Sequence, residues 1–114
     1  MVFKTSEVED KEVVVINLPE KVSGEIADQL KTYIREIVAK GRYKLVMNLS
    51  NTTFMDSSGL GALVSKIAVT RANNGDVRLA HSQEYISNLL ELTHLDQVMK
   101  TYPTVKDAVR SFRE

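Results

Sequence analysis

The sequence predicts a single α/β domain: a mixed sheet of about five strands packed against about four helices, in the order ββαβαβαβα. Three observations carry this expectation. Short apolar runs, "EVVVINL" (12–18), "KLVMNL" (44–49) and "VRLA" (77–80), read as strands, the first of them a β-branched run that marks a buried one. Between and after them lie longer segments whose apolar residues recur at helical spacing. Strand–helix alternation implies a mainly parallel or mixed sheet. No repeat, low-complexity tract or linker interrupts the 114 residues, so one domain is expected over 1–114.

The elements follow in order. "VFKTSEVE" (2–9) is a weaker strand, and "DK" (10–11) turns it into 12–18 as a hairpin. Pro19 ends that second strand because it cannot donate to a ladder. Ser23 is the expected N-cap of a helix from Gly24 to about Lys40, with Ile26, Leu30, Ile34, Ile37 and Val38 on its inner face. Gly41 closes it. After strand 44–49, "SNTTFM" (50–55) is expected to be a loop. A second helix runs from Ser58 to about Asn73, with Leu60, Leu63, Val64, Ile67 and Ala68 inward. "NNGD" (73–76) stops it before strand 77–80. Ser82 caps a helix to Leu92 whose inner residues are Ile86, Leu89 and Leu90, and "QVMKTY" (97–102) gives an edge strand. Thr104 and Asp107 resemble a capping box for a last helix with Val105, Ala108, Val109 and Phe112 at i, i+3, i+4, i+7.

Composition excludes several function classes. Fifteen basic residues balance fifteen acidic ones, so no global field draws the chain to nucleic acid or anionic lipid. Cysteine is absent, which rules out disulfides and thiolate metal sites. No segment has the length of a membrane span and the N-terminus has no apolar signal region, so a cytoplasmic location is expected. Function must therefore come from local motifs.

The candidate is "FMDSSGLG" (54–61). It is not a nucleophile elbow: Met55 and Asp56 stand where G-x-S-x-G needs its first glycine, and the only candidate bases are His81 and His94. His94 reads better as a cation at a helix C-terminus. It is not a P-loop, because Ala62 follows Gly61 where lysine is required, and Val64 breaks a dinucleotide fingerprint. Asp56 has no further ligand at metal spacing, and no cofactor is expected. Lys66, Arg71 and Arg78 are too scattered for nucleic-acid readout. One reading is ordinary capping, in which a side-chain oxygen of Asp56, Ser57 or Ser58 accepts an orphan amide. Two serines with two glycines exceed what a cap needs. Gly59 and Gly61 each cost a helix roughly 0.5–1 kcal/mol relative to alanine. Such glycines suit close backbone approach or a bare surface, which favours a protein contact over a catalytic pocket.

These residues carry a recognisable pattern. "VMNLSNTTFMDSSGLGALVS" (46–65) resembles the signature of STAS domains, in particular the bacterial anti-sigma-factor antagonists. "LLELTHLDQVM" (89–99) resembles the family's later helix and the turn into its last strand. The element order matches the STAS fold over essentially the whole chain. The resemblance implies a regulatory protein with no catalytic residue. Its unphosphorylated form would bind an anti-sigma factor that is itself a serine kinase, and so release the sigma factor. Ser57 would be the phosphate acceptor, Asp56, Ser58, Gly59, Leu60 and Gly61 would complete the turn shown to the partner, and a protein phosphatase would restore the active form. After the second strand the family usually reads Gly-[Glu/Arg]-[Leu/Ile]-Asp; here Glu20, Lys21, Val22 and Ser23 occupy those positions, with Glu20 and Glu25 the nearby acids. The alternative within the resemblance is a STAS domain serving as a regulatory or structural subunit of a signalling complex or transporter, without a phospho-switch.

Overall fold

The computed structural model describes residues 3–113. Val2, where the first strand was expected to begin, lies outside them. Five strands form the main sheet: β1 (Lys4–Ser6), β2 (Val13–Asn17), β4 (Lys44–Asn48), β6 (Asp76–Ala80) and β7 (Thr101–Tyr102), in spatial order β1-β2-β4-β6-β7. β1 pairs antiparallel with β2, as the hairpin expectation required, and the remaining pairs are parallel. The fold class expected from the sequence is the fold observed.

Side-chain alternation explains why β2 is apolar throughout. Val14 and Ile16 join Leu45, Met47, Val77 and Leu79 in a core beneath α1 (Gly24–Ala39), α2 (Ser57–Val64), α3 (Ile67–Ala72) and α4 (Glu84–Leu92). Val13 and Val15 face the other way and pack with Val46 and Ala80 on Ala108 and Val109 of α5 (Val105–Ser111). A strand covered on both faces has no polar side to show. Of the expected inner face of α1, Leu30, Ile34 and Val38 are buried, while Ile26 and Ile37 pack at its margin. Gly41 ends this helix at φ +81°, a left-handed conformation that glycine adopts at no steric cost.

Four local expectations change. The helix expected over 58–73 is two helices. Ser65 sends its hydroxyl to the Ala62 carbonyl at 2.8 Å while its amide bonds the same carbonyl, and Lys66 leaves helical geometry. This competition for a helix carbonyl interrupts the ladder. The break rotates the buried face: Ile67 and Thr70 are buried, whereas Ala68 is exposed. The strand expected at 97–102 shortens to β7, because Leu95–Gln97 form a 3₁₀ turn entered through His94 at φ +62°. Gln83, not Ser82, is the N-cap of α4; the Ser82 hydroxyl pairs with that of Ser87 at 2.8 Å. Ser23 does sit at the N-cap of α1, but its side chain makes no capping bond.

The fourth change matters most for the site. The expected loop at 50–55 contains β5 (Phe54–Met55), which pairs in parallel with β3 (Lys21–Val22) as a two-stranded ribbon. Thr53 and Phe54 donate their amides to the Glu20 carbonyl at 2.8 and 3.2 Å, and the Thr52 hydroxyl donates to the Pro19 carbonyl at 2.9 Å. The chain leaving β2 and the chain leaving β4 are thereby tied together beyond the carboxyl ends of the sheet.

Candidate functional site

Asp56 to Gly61 form the turn between the β3/β5 ribbon and α2. Asp56 has extended backbone and caps the helix, its carboxylate accepting the Gly59 amide at 3.0 Å. Capping is therefore done by the aspartate alone. Ser57 and Ser58 are the first two helical residues, both exposed. Among the described residues, neither hydroxyl has a hydrogen-bond partner within the chain. They stand on the capped first turn of α2 with their hydroxyls free.

The two glycines have different reasons. A Cβ on Gly59 would fall closer than 3.0 Å to the Val22 carbonyl oxygen and to the Met55 side chain. Helix α2 starts hard against β3, and only glycine permits that approach. Gly61 would meet nothing within 4 Å. It leaves a bare patch next to the exposed serines. Between them Leu60 is 7% exposed and packs into the core, anchoring the turn.

Residues 20–23, where the sequence departs from the family pattern, lie directly beside this turn. Lys21 is opposite Phe54 and Val22 opposite Met55. Glu20, Lys21 and Glu25 are exposed and make no ion pair among the described residues. The aromatic member of the motif, Phe54, is 40% exposed and stacks on Tyr85 of α4 with ring centroids 6.2 Å apart and planes at 19°. The sequence had assigned Tyr85 no role.

Among the described residues no three acidic, histidine or cysteine side chains cluster to hold a metal ion, and no helix is long and apolar enough to cross a membrane. An open groove of about 460 Å³ between the β1–β2 hairpin and the end of α1 includes none of residues 54–61. His81 is exposed beside Thr101, Tyr102 and Pro103, and His94 is the left-handed residue that follows the cap of α4. Neither hydrogen-bonds a serine of the turn among the described residues.

Comparison with known proteins agrees in fold and in sequence. The STAS domain family model matches residues 5–108. A Thermotoga maritima protein assigned as an anti-sigma factor antagonist is 31% identical over 102 residues, covering 88% of this chain and 90% of that protein. A crystal structure of a T. maritima protein assigned as an anti-sigma factor antagonist superposes with a TM-score of 0.87 at 29% identity, covering 98% of this chain and 95% of the other. The anti-sigma factor antagonist SpoIIAA has the same fold in its unphosphorylated form (TM-score 0.75, 21% identity, 97% of each chain). Its phosphorylated form matches likewise (TM-score 0.73, 23% identity, 96% of this chain and 97% of the other).

Proposed function

The chain belongs to the STAS-domain family of anti-sigma factor antagonists, and we propose that it is switched at Ser57. In this reading the unphosphorylated turn 56–61 docks on an anti-sigma factor and frees the sigma factor. The anti-sigma factor is also the kinase: the Ser57 hydroxyl oxygen attacks the γ-phosphorus of its ATP, ADP leaves and the hydroxyl proton is lost. A phosphatase hydrolyses the ester and resets the protein. The serine is a substrate, so the chain itself catalyses nothing.

The observation that carries the proposal is the division of labour at the turn. Asp56 does the capping, so the exposed Ser57 hydroxyl is spare. Bare Gly61 lets a second protein come close. A phosphate on Ser57 would sit at a helix N-terminus, where free amides and the positive end of the dipole favour an anion. The domain should therefore tolerate the modification. That SpoIIAA keeps one fold in both forms supports the same expectation.

The partner would not tolerate it. A phosphoserine adds about 1.5 to 2 negative charges near neutral pH. Sealing that charge into a surface matched to a neutral hydroxyl strips its water without supplying partners. Since about 1.4 kcal/mol is tenfold in affinity, a loss of a hundredfold or more is expected. The test is phosphate transfer from ATP by the serine-kinase anti-sigma factor of the same genome, with the site mapped by mass spectrometry. Phosphate on Ser57, and none on a Ser57→Ala chain, supports the switch. An active kinase that binds the chain and leaves Ser57 unmodified would refute it.

A further inference from the structure

We infer that Asn74–Gly75 is a site of spontaneous covalent modification, at which the Asn74 side-chain amide is lost through a cyclic imide to give aspartate and isoaspartate. The bond from the Gly75 amide to the Thr70 carbonyl restrains the reaction in the folded protein.

Such a reaction needs an asparagine with a free side chain and a following amide nitrogen that no side chain shields. Of the six asparagines, Asn74 alone is followed by glycine. It is exposed, and among the described residues its side chain makes no hydrogen bond. Its neighbour Asn73 is tied down, donating Nδ2 to the Val69 carbonyl at 2.8 Å.

The fold imposes this labile dipeptide. Helix α3 closes in a Schellman turn: the Gly75 amide returns to the Thr70 carbonyl at 2.7 Å, and Asn74 takes the left-handed position at φ +63°. Glycine and asparagine are the residues that fill that position readily. At 75, a Cβ would fall closer than 3.0 Å to the Tyr43 carbonyl. That carbonyl accepts the next amide, Asp76, at 3.0 Å as β6 begins. Helix closure on one side and strand packing on the other therefore select Asn-Gly.

In the reaction the Gly75 nitrogen attacks Asn74 Cγ and gives up its proton, while the side-chain nitrogen leaves as ammonia. The new C–N bond closes a five-membered imide. Water then opens either imide carbonyl, giving aspartate or isoaspartate. Swinging the Gly75 nitrogen onto Cγ breaks its bond to Thr70, so the folded chain reacts through locally opened states. The two products differ in effect. Aspartate keeps the main chain and tolerates the left-handed position. Isoaspartate adds a methylene to the main chain between two fixed points, the end of α3 and the start of β6. It pulls Asp76 away from Arg71 and Arg78, which its carboxylate joins. The damage falls at the amino end of β6, remote from the turn at Ser57, and acts on stability.

The test incubates the full chain at mildly alkaline pH, folded in buffer and unfolded in guanidinium chloride, and maps deamidation and isoaspartate by peptide mass spectrometry. Asn74 is expected to convert before the other asparagines, about tenfold or more slowly in the folded chain than in the unfolded one. Asn74→Gly should fold and leave this segment unmodified. Asn74→Asp should unfold like wild type, and the isoaspartate fraction at lower denaturant. Conversion of another asparagine first in the unfolded chain would overturn the site. Equal rates in the folded and unfolded chains would overturn the restraint by Thr70. Asn74→Asp as unstable as the isoaspartate fraction would overturn the main-chain insertion as the cause of damage.

Discussion

The Asp56 carboxylate accepts the Gly59 amide at 3.0 Å, and this one bond frees the Ser57 hydroxyl from any structural duty. Asp56→Ala is expected to lower stability by about 1 kcal/mol, with Asp56→Asn close to wild type. Ser57→Ala should stay within about 0.5 kcal/mol. Urea unfolding of the three variants checks this. An equal loss for Ser57→Ala would make the serine part of the cap.

Gly59 and Gly61, two residues apart, are expected to respond in opposite ways. Gly59→Ala drives a methyl into the Val22 carbonyl and should cost about 1–3 kcal/mol. Gly61→Ala meets open space and should stabilise the helix by about 0.5–1 kcal/mol. The same Gly61→Ala chain should bind the anti-sigma factor more weakly, because the methyl stands on the approach surface. Thermal unfolding and calorimetric titration of one protein sample separate the two effects.

Asp76 holds the sheet to both helical layers. Its carboxylate takes Arg71 Nε at 2.9 Å and Arg78 Nε at 3.1 Å, and Arg78 goes on to the Ser111 hydroxyl at 2.6 Å and over the Phe112 ring at 4.1 Å. The Asp76 side chain is 8% exposed and that of Arg78 14%. Asp76→Ala leaves the Arg78 charge without its anion and should cost about 3 kcal/mol or more. Arg71→Ala should cost far less, its side chain being 44% exposed. Chemical denaturation gives both values.

The sheet and most helices were legible in the sequence, because burial on both faces writes itself as an uninterrupted run such as Val13–Ile16. The features that shape the site were less so. The β3/β5 ribbon is two residues long on each side and depends on backbone bonds from Thr53 and Phe54 to Glu20, which no periodicity encodes. The break at Ser65 comes from one hydroxyl competing for one carbonyl. Whether Asp56, Ser57 or Ser58 supplied the cap could not be decided from residue types that all cap well. Tyr85 carried no reading in the sequence, because its stacking on Phe54 joins positions thirty-one apart and required the fold.

Phosphate on Ser57, in the proposed switch, blocks an interface without unfolding the domain. The most direct test is calorimetric titration of the anti-sigma factor against the unphosphorylated and the Ser57-phosphorylated chain, with amide chemical shifts recorded for both. The account predicts at least a hundredfold loss of affinity and shift changes confined to residues near 54–65. Equal affinities would contradict the switch, and shift changes spread through the sheet would contradict the blockade.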